Sequence, residues 1–147
     1  MIAHYDIIQG SEDWHILKHG KIGGTLSKGL FVDSDTLLIQ ILAEQTEDFQ
    51  LTDDSYDNYD MLRGKELEHM AWIELSKYIG LDLLECGWLE CEEYPILGIS
   101  PDGISLDHTV SCEIKCPARN KHMSTLCNDE IPSDNIHQCL QYFVVNP

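Results

Sequence analysis

Ser100-Pro101-Asp102-Gly103, followed after a short gap by Val110-Ser111-Cys112-Glu113-Ile114-Lys115-Cys116, is the stretch on which the reading of this chain turns. Pro-Asp-Gly is a turn signal: proline presets φ, aspartate bonds nearby backbone, and glycine accepts a positive φ. The short apolar piece Ile104-Ser105-Leu106 runs from it to a second turn at Asp107-His108, so a hairpin is predicted. In its second arm apolar and polar residues alternate. Val110, Cys112, Ile114 and Cys116 then share one face, and Glu113 and Lys115 point together to the other. Such a hairpin returns Asp102 to the side of Glu113.

Two carboxylates a few ångströms apart offer hard oxygen ligands to Mg²⁺ or Mn²⁺, and a bound cation lowers the pKa of its water. A lysine beside them can orient that water or neutralise a pentavalent phosphate. The Asp…Glu-x-Lys pattern therefore suits metal-assisted hydrolysis of a phosphodiester. Taken alone, the spacing suits a surface hairpin with a solvated Glu/Lys face better, because so short a motif recurs by chance.

Working outward, other features fall in a fixed order around the hairpin. Residues 9–25 read Gln-Gly-Ser-Glu-Asp-Trp-His-Ile-Leu-Lys-His-Gly-Lys-Ile-Gly-Gly-Thr, and Arg63-Gly64-Lys65-Glu66-Leu67-Glu68 follows. Beyond the hairpin come Cys116-Pro117 and then Gln138-Cys139-Leu140-Gln141-Tyr142. This succession, over about residues 9–145, resembles the lambda-exonuclease or YqaJ-type viral recombinase family within the PD-(D/E)XK nuclease superfamily.

The resemblance implies an α/β fold with a restriction-endonuclease-like core, a mixed central β-sheet flanked by helices. Residues 1–147 would be one such nuclease domain, C-terminally short, since full-length relatives continue with further strands and helices that help build a ring-shaped trimer. It implies a Mg²⁺- or Mn²⁺-dependent exonuclease acting 5′ to 3′ on linear duplex DNA ends, working beside a single-strand annealing protein. Asp102 and Glu113 would hold the metal, with Glu68 and the Ile114 carbonyl completing the site. Lys115 would position the attacking water, which leaves a 5′-phosphate, and Gln138 would hold a water or phosphate. Lys18 and Thr25 match positions that grip the 5′-phosphorylated end, where the family more often carries arginine and serine. An acidic residue near the cleft in the family corresponds to Glu92. Glu66 competes with Glu68, because either turns inward according to where its helix begins.

At 147 residues the chain is long enough for one domain with a real core. It contains no run of 18 apolar residues, and Met1-Ile2-Ala3-His4-Tyr5-Asp6 has no secretory pattern, so a soluble, cytoplasmic protein with no membrane contact is expected. Its six cysteines have no framework spacing and are expected as reduced thiols. A formal net charge of -17 is the wrong sign for a general nucleic-acid binder. The bases are concentrated, however. Lys18, Lys21, Arg63, Lys65, Lys115, Arg119 and Lys121 lie in or beside the motifs, leaving only Lys28 and Lys77 outside. A local basic path on an acidic body can still guide DNA.

Helical signals mark the rest. Ser11 caps a short helix with acids first, Lys18 last and Gly20 beyond it. A second helix is predicted over residues 34–49, capped by Ser34 or Asp35, with Leu37, Leu38, Ile41, Leu42 and Gln45 at helical spacing. Glu47 to Asp60 reads as an exposed acidic loop. A long helix from about Asn58 to Ile79 carries Leu67, Met70, Ala71, Leu75 and Tyr78 as its predicted buried stripe. Strands are predicted between Asp82 and Gly98. A basic loop with Arg119 and Lys121 should follow Pro117, where a phosphate would sit. The last helix starts at Ser133, with Ile136, Cys139, Leu140 and Phe143 predicted inside. Gly23-Gly24 either frees backbone amides for a phosphate or is a flexible turn.

Two rival functions fit parts of the pattern. An iron-sulfur nuclease would need clustered cysteines, yet Cys112 and Cys116 on one strand stand about 13 Å apart. A catalytically silent acidic interaction protein or DNA mimic suits the charge, but has no need of Asp102, Glu113, Lys115 and Glu68 together. An endonuclease would use the same four residues.

Overall fold

The computed structural model describes residues 1–32, 35–50 and 59–147. In chain order the elements are β1 (Ile2–His4), α1 (Glu12–Lys18), a 3-10 helix (Gly24–Leu30), α2 (Thr36–Thr46) and α3 (Tyr59–Ile79). These are followed by β2 (Leu83–Leu84), β3 (Trp88–Glu90), β4 (Gly98–Ile99), β5 (Gly103–Ser105), β6 (Ser111–Cys112), α4 (Arg119–Asn128) and α5 (Ser133–Val145). The predicted cap Ser34, the helix start at Asn58 and the acidic stretch at 51–58 lie outside the described residues.

The α/β class holds, but the sheet differs from the mixed one expected. The strands form two three-stranded antiparallel sheets, β1-β3-β4 and β2-β5-β6. Among the described residues, parallel pairing is confined to the isolated bridge between Ile22 and Leu97. The strands are short because the apolar runs are cut by Gly87, Pro95, Gly98 and Pro101. Gly98 is required where it stands: a Cβ there would lie 2.3 Å from the Trp88 ring. Trp88, Leu89, Ile99, Ile104 and Val145 are fully buried, so the core joins both sheets to the end of α5.

α1 forms as its sequence dictates. Ser11 Oγ accepts from the Trp14 amide at 3.2 Å, and the chain leaves the helix through Gly20 at φ +67°. Gly20 is bracketed by α2, its amide donating to Glu44 and its carbonyl accepting from Gln45. In α2, Leu37 and Ile41 are buried as predicted, while Leu38 and Leu42 face outward.

The stripes predicted for the two longest helices are turned inward only in part: Ala71, Leu75 and Cys139 are half-buried, and the rest are exposed. On α3, Met70 is 64% exposed and Tyr78 89%, and the residues it presents to the cleft beside Asp102 are the exposed Lys65, Glu68 and His69 and the half-buried Trp72. On α5, Ile136, Leu140 and Phe143 are exposed, and Gln141 and Val145 are buried. α5 buries Gln141 and α3 lines a cleft with polar side chains, which an apolar-periodicity reading cannot see. The basic loop expected after Pro117 also differs: Arg119 and Lys121 stand on the first turn of α4. All six cysteines are free thiols. Among the described residues no helix is long and apolar enough to cross a membrane.

Gln141 fixes α5 in register. Its buried amide nitrogen donates to Ile22 O at 2.7 Å and Gly98 O at 2.8 Å, tying the helix to β4 and to the strand-like bridge at Ile22. Replacing it by leucine removes both bonds; Ile22 O keeps the Gly98 amide, whereas Gly98 O loses this partner, at a cost of roughly 1–3 kcal/mol. Urea denaturation of Gln141→Leu is expected to show a loss of about 2 kcal/mol or more. A loss no larger than that of the exposed control Phe143→Ala would contradict the role given to this amide.

Candidate active site

The β5–β6 hairpin forms around the turn at residues 106–109, and the segment leading into it, Ser100-Pro101, is clamped. Ser100 Oγ sits 2.8 Å from the Trp14 indole nitrogen and donates to Gly87 O, and the Gln9 amide donates to Pro101 O at 2.8 Å and Cys86 O at 3.0 Å. Asp102 is thus held from behind by α1 and the segment before it. The ladder between β5 and β6 pairs Gly103 with Cys112, and the Asp102 amide donates to Cys112 O. Beyond that point the Asp102 carboxylate takes over: its Oδ2 accepts from the Ile114 amide. A side chain replaces the next backbone partner, which is why the strand predicted to reach Cys116 ends at Cys112.

Glu113 lies alongside. Lys115 Nζ is ion-paired with its Oε1, and the Tyr142 hydroxyl donates to its Oε2 at 2.7 Å. Burial, reinforced by the charge of Glu113, pushes the Asp102 carboxyl up to about 7; the Ile114 hydrogen bond opposes the shift, and Glu68 adds to it. The same burial and neighbouring acids hold the Cys112 thiol up at about 11 and raise the Tyr142 hydroxyl, which stays protonated.

A cleft of about 310 Å³ opens beside Asp102, walled by Glu68, Lys65, His69 and Trp72 of α3 and by Gln9 and Glu85. Of the two competing glutamates, Glu68 lines this cleft and Glu66 does not. Arg63 is occupied differently from a DNA contact: its guanidinium donates to Cys116 O at 3.1 Å and Pro117 O at 2.6 Å, holding the segment after Lys115 against α3. Glu92, exposed, pairs with the Met1 amino group and does not line the cleft.

Lys18, Thr25 and Gln138 gather at a second place, around the Gly23-Gly24 turn. Lys18 Nζ lies 3.5 Å from the centroid of the Trp14 ring, and burial pushes its pKa down to about 8. Gly23 packs beside the Lys18 side chain and the Trp88 ring. Gly24 packs on Gln138, whose Cγ would be 2.9 Å from an added Cβ, and Thr25 follows exposed on the 3-10 helix. Lys121 pairs with Asp134 at 3.0 Å, while Arg119 is exposed. α5 joins the two places, with Gln138 against Gly24 and Tyr142, one turn on, against Glu113. Sequence reasoning noted Tyr142 only as a neighbour of the glutamines. Its position four residues after Gln138 is the signal that could have marked it.

Among the described residues no group of three or more His, Cys, Asp or Glu side chains is already gathered as a metal cage. The donor set nevertheless fits a divalent cation: two adjacent, partly buried carboxylates in an excess of negative charge, with hard oxygens only. Linkage gives a test. Between about pH 4 and pH 7 the folded chain holds a proton at Asp102 that the unfolded chain has lost, so this group's contribution is full at low pH and disappears as pH rises through about 7. Without divalent cations, the melting temperature of the native chain should therefore fall relative to Asp102→Asn between about pH 5 and pH 8. Parallel profiles would contradict the placement of this carboxyl.

Comparison with known proteins can now be set beside this geometry. The alkaline exonuclease LHK-Exo from Laribacter hongkongensis superposes with a TM-score of 0.77 at 23% identity, over 92% of this chain and 68% of its own. The structure of LHK-Exo in complex with dAMP gives the same figures. At this identity the likeness establishes the α/β fold. No curated protein matches the sequence. The YqaJ-like viral recombinase domain matches residues 13–146, nearly the whole chain from α1 to the end of α5, and the protein belongs to that family.

Proposed function

We propose that the chain is a metal-dependent deoxyribonuclease, an exonuclease of phage-recombination type that degrades linear duplex DNA from 5′ ends. The observation that carries this reading is the Asp102 carboxyl, half-buried beside Glu113 with Glu68 within electrostatic reach and Lys115 bonded to its neighbour. A decoy of DNA gains nothing from burying like charges beside each other, whereas a cation site needs them. Membership of the YqaJ-like family and the fold shared with an alkaline exonuclease point the same way.

Asp102, Glu113 and the Ile114 carbonyl, with Glu68 on the facing wall of the cleft, would hold Mg²⁺ or Mn²⁺. Bound there, the cation would supply Lewis-acid polarisation of the phosphodiester and a more acidic water. Lys115 orients the attacking water and meets the developing negative charge on the phosphate, so that the 3′-oxygen leaves and a 5′-phosphate remains. Lys18, Thr25 and the Gly23-Gly24 backbone receive the 5′-phosphorylated end, with Gln138 beside them. Burial of Lys18 against Trp14 keeps this cation poorly hydrated and ready for a phosphate partner. Arg119 and Lys121 extend the basic path along α4, and a homotrimer or an annealing protein would supply processivity. Residues 1–147 act as one nuclease domain in this reading, in the cytoplasm of a host cell.

The thiols give no support to an iron-sulfur alternative: Cys86 and Cys91 are in the core, while Cys127 and Cys139 belong to different helices. The test is degradation of 5′-phosphorylated linear duplex beside a closed circle, with and without Mg²⁺ or Mn²⁺. Loss of the linear form alone, dependent on metal and reduced at least about a hundredfold by Lys115→Ala, is expected. Cutting of the circle would make it an endonuclease. Inactivity of folded protein on both would favour the acidic interaction protein that the net charge of -17 also suits.

A further inference from the structure

Both carboxylates of the hairpin already have partners in the protein. Asp102 Oδ2 accepts from the Ile114 amide, which leaves Oδ1. Glu113 is held at both ends, but the two partners differ in kind. Tyr142 comes from a ring that is mostly buried, on a helix that Gln141 pins one residue earlier, and it donates to Oε2 at 2.7 Å. Lys115 reaches Oε1 from a flexible side chain that is 47% exposed, against 11% for Glu113. One contact is anchored by the fold, and the other is replaceable.

We propose that Tyr142 is a positioning residue that keeps Oε2 of Glu113 out of coordination and presents Oε1, and that an entering divalent cation takes Oε1 in exchange for Lys115. The inference rests on the nuclease reading and adds an order of events to it. In the metal-free protein Lys115 neutralises Glu113 and spares the acidic pair an uncompensated charge. When the cation takes over that neutralisation, the lysine amine is released at the mouth of the site, where the water and phosphate are to be engaged. The lysine is thereby unavailable to substrate until the site is loaded, and a single residue serves the two states in turn. The tyrosine makes the exchange possible, since without its hydrogen bond Glu113 is free to rotate and offer either oxygen to either partner.

The two residues should shift metal affinity in opposite directions, which a merely structural role for either would not do. Mn²⁺ binding to the full chain, measured by titration calorimetry without DNA at about pH 8, separates them. Tyr142→Phe keeps the ring and is expected to bind Mn²⁺ about 10- to 100-fold more weakly, the range typical for loss of a group that orients a ligand. Lys115→Ala removes the competitor for Oε1 and should bind several-fold more tightly. Affinity within twofold of native for a folded Tyr142→Phe overturns the positioning role. Unchanged or weaker binding by Lys115→Ala, whose side chain is too exposed to threaten folding, overturns the exchange. A native chain that binds no Mn²⁺ overturns this inference together with the nuclease reading, whereas native binding with unshifted variants overturns this inference alone.

Discussion

Two hydrogen bonds from one buried amide, Gln141 to Ile22 O and to Gly98 O, fix where everything else in the site can be. Ile22 leads into the Gly23-Gly24 turn and the 3-10 helix; Gly98 begins β4, which leads to Ser100 and Asp102. By holding both carbonyls, α5 sets its own rotation, and the helix repeat then sends Gln138 to Gly24 and Tyr142 to Glu113. A buried amide that satisfies two backbone acceptors is costly to move, so these side chains are placed by the fold and not by local choice. The carboxylates and the Gly23-Gly24 turn are therefore held in one frame, though Thr25 and Asp102 are 77 positions apart.

Charge imposes the second constraint. A body at -17 repels a polyanion, so a nuclease built on it would need its few bases where phosphate arrives. Lys18 is stacked on Trp14 and half-withdrawn from water, Lys115 is tied to Glu113, and Lys121 to Asp134. Arg63 is committed to the carbonyls of Cys116 and Pro117, so its charge supports the segment after Lys115 in place of reaching outward. On the nuclease reading, the acidic surroundings would keep DNA from binding elsewhere on the surface and would favour divalent cations at the site. Affinity for duplex should accordingly depend on the metal more than on general attraction.

The hairpin, the cap at Ser11 and the start of α5 were legible in the sequence because local chemistry alone decides them: turn residues, an N-cap side chain, a proline stop. Asp102 comes beside Glu113 for the same reason. The cleft-lining face of α3 and the inward face of α5 were not legible. A site lined by Lys65, Glu68, His69 and Trp72 on one helix, and by Gln138, Gln141 and Tyr142 on the other, places polar residues where periodicity expects leucine. Leu67, Met70, Leu140 and Phe143 were consequently assigned to a core they do not enter. Polar residues at helical spacing on both helices were the available sign. Pairing of the strands was hidden too, since strands of two or three residues carry almost no pattern. The early end of β6 depends on a side chain capturing an amide, which no propensity records.

The most direct measurement is the anomalous diffraction of Mn²⁺ in crystals of the full chain soaked at about pH 8. A peak bridging Asp102 and Glu113, near the Ile114 carbonyl, with Lys115 moved away from Glu113 and Tyr142 still on it, is the predicted result. A well-ordered crystal with no peak at these carboxylates, or with the metal elsewhere and the Lys115–Glu113 pair intact, would contradict the assignment of this hairpin as a catalytic metal site.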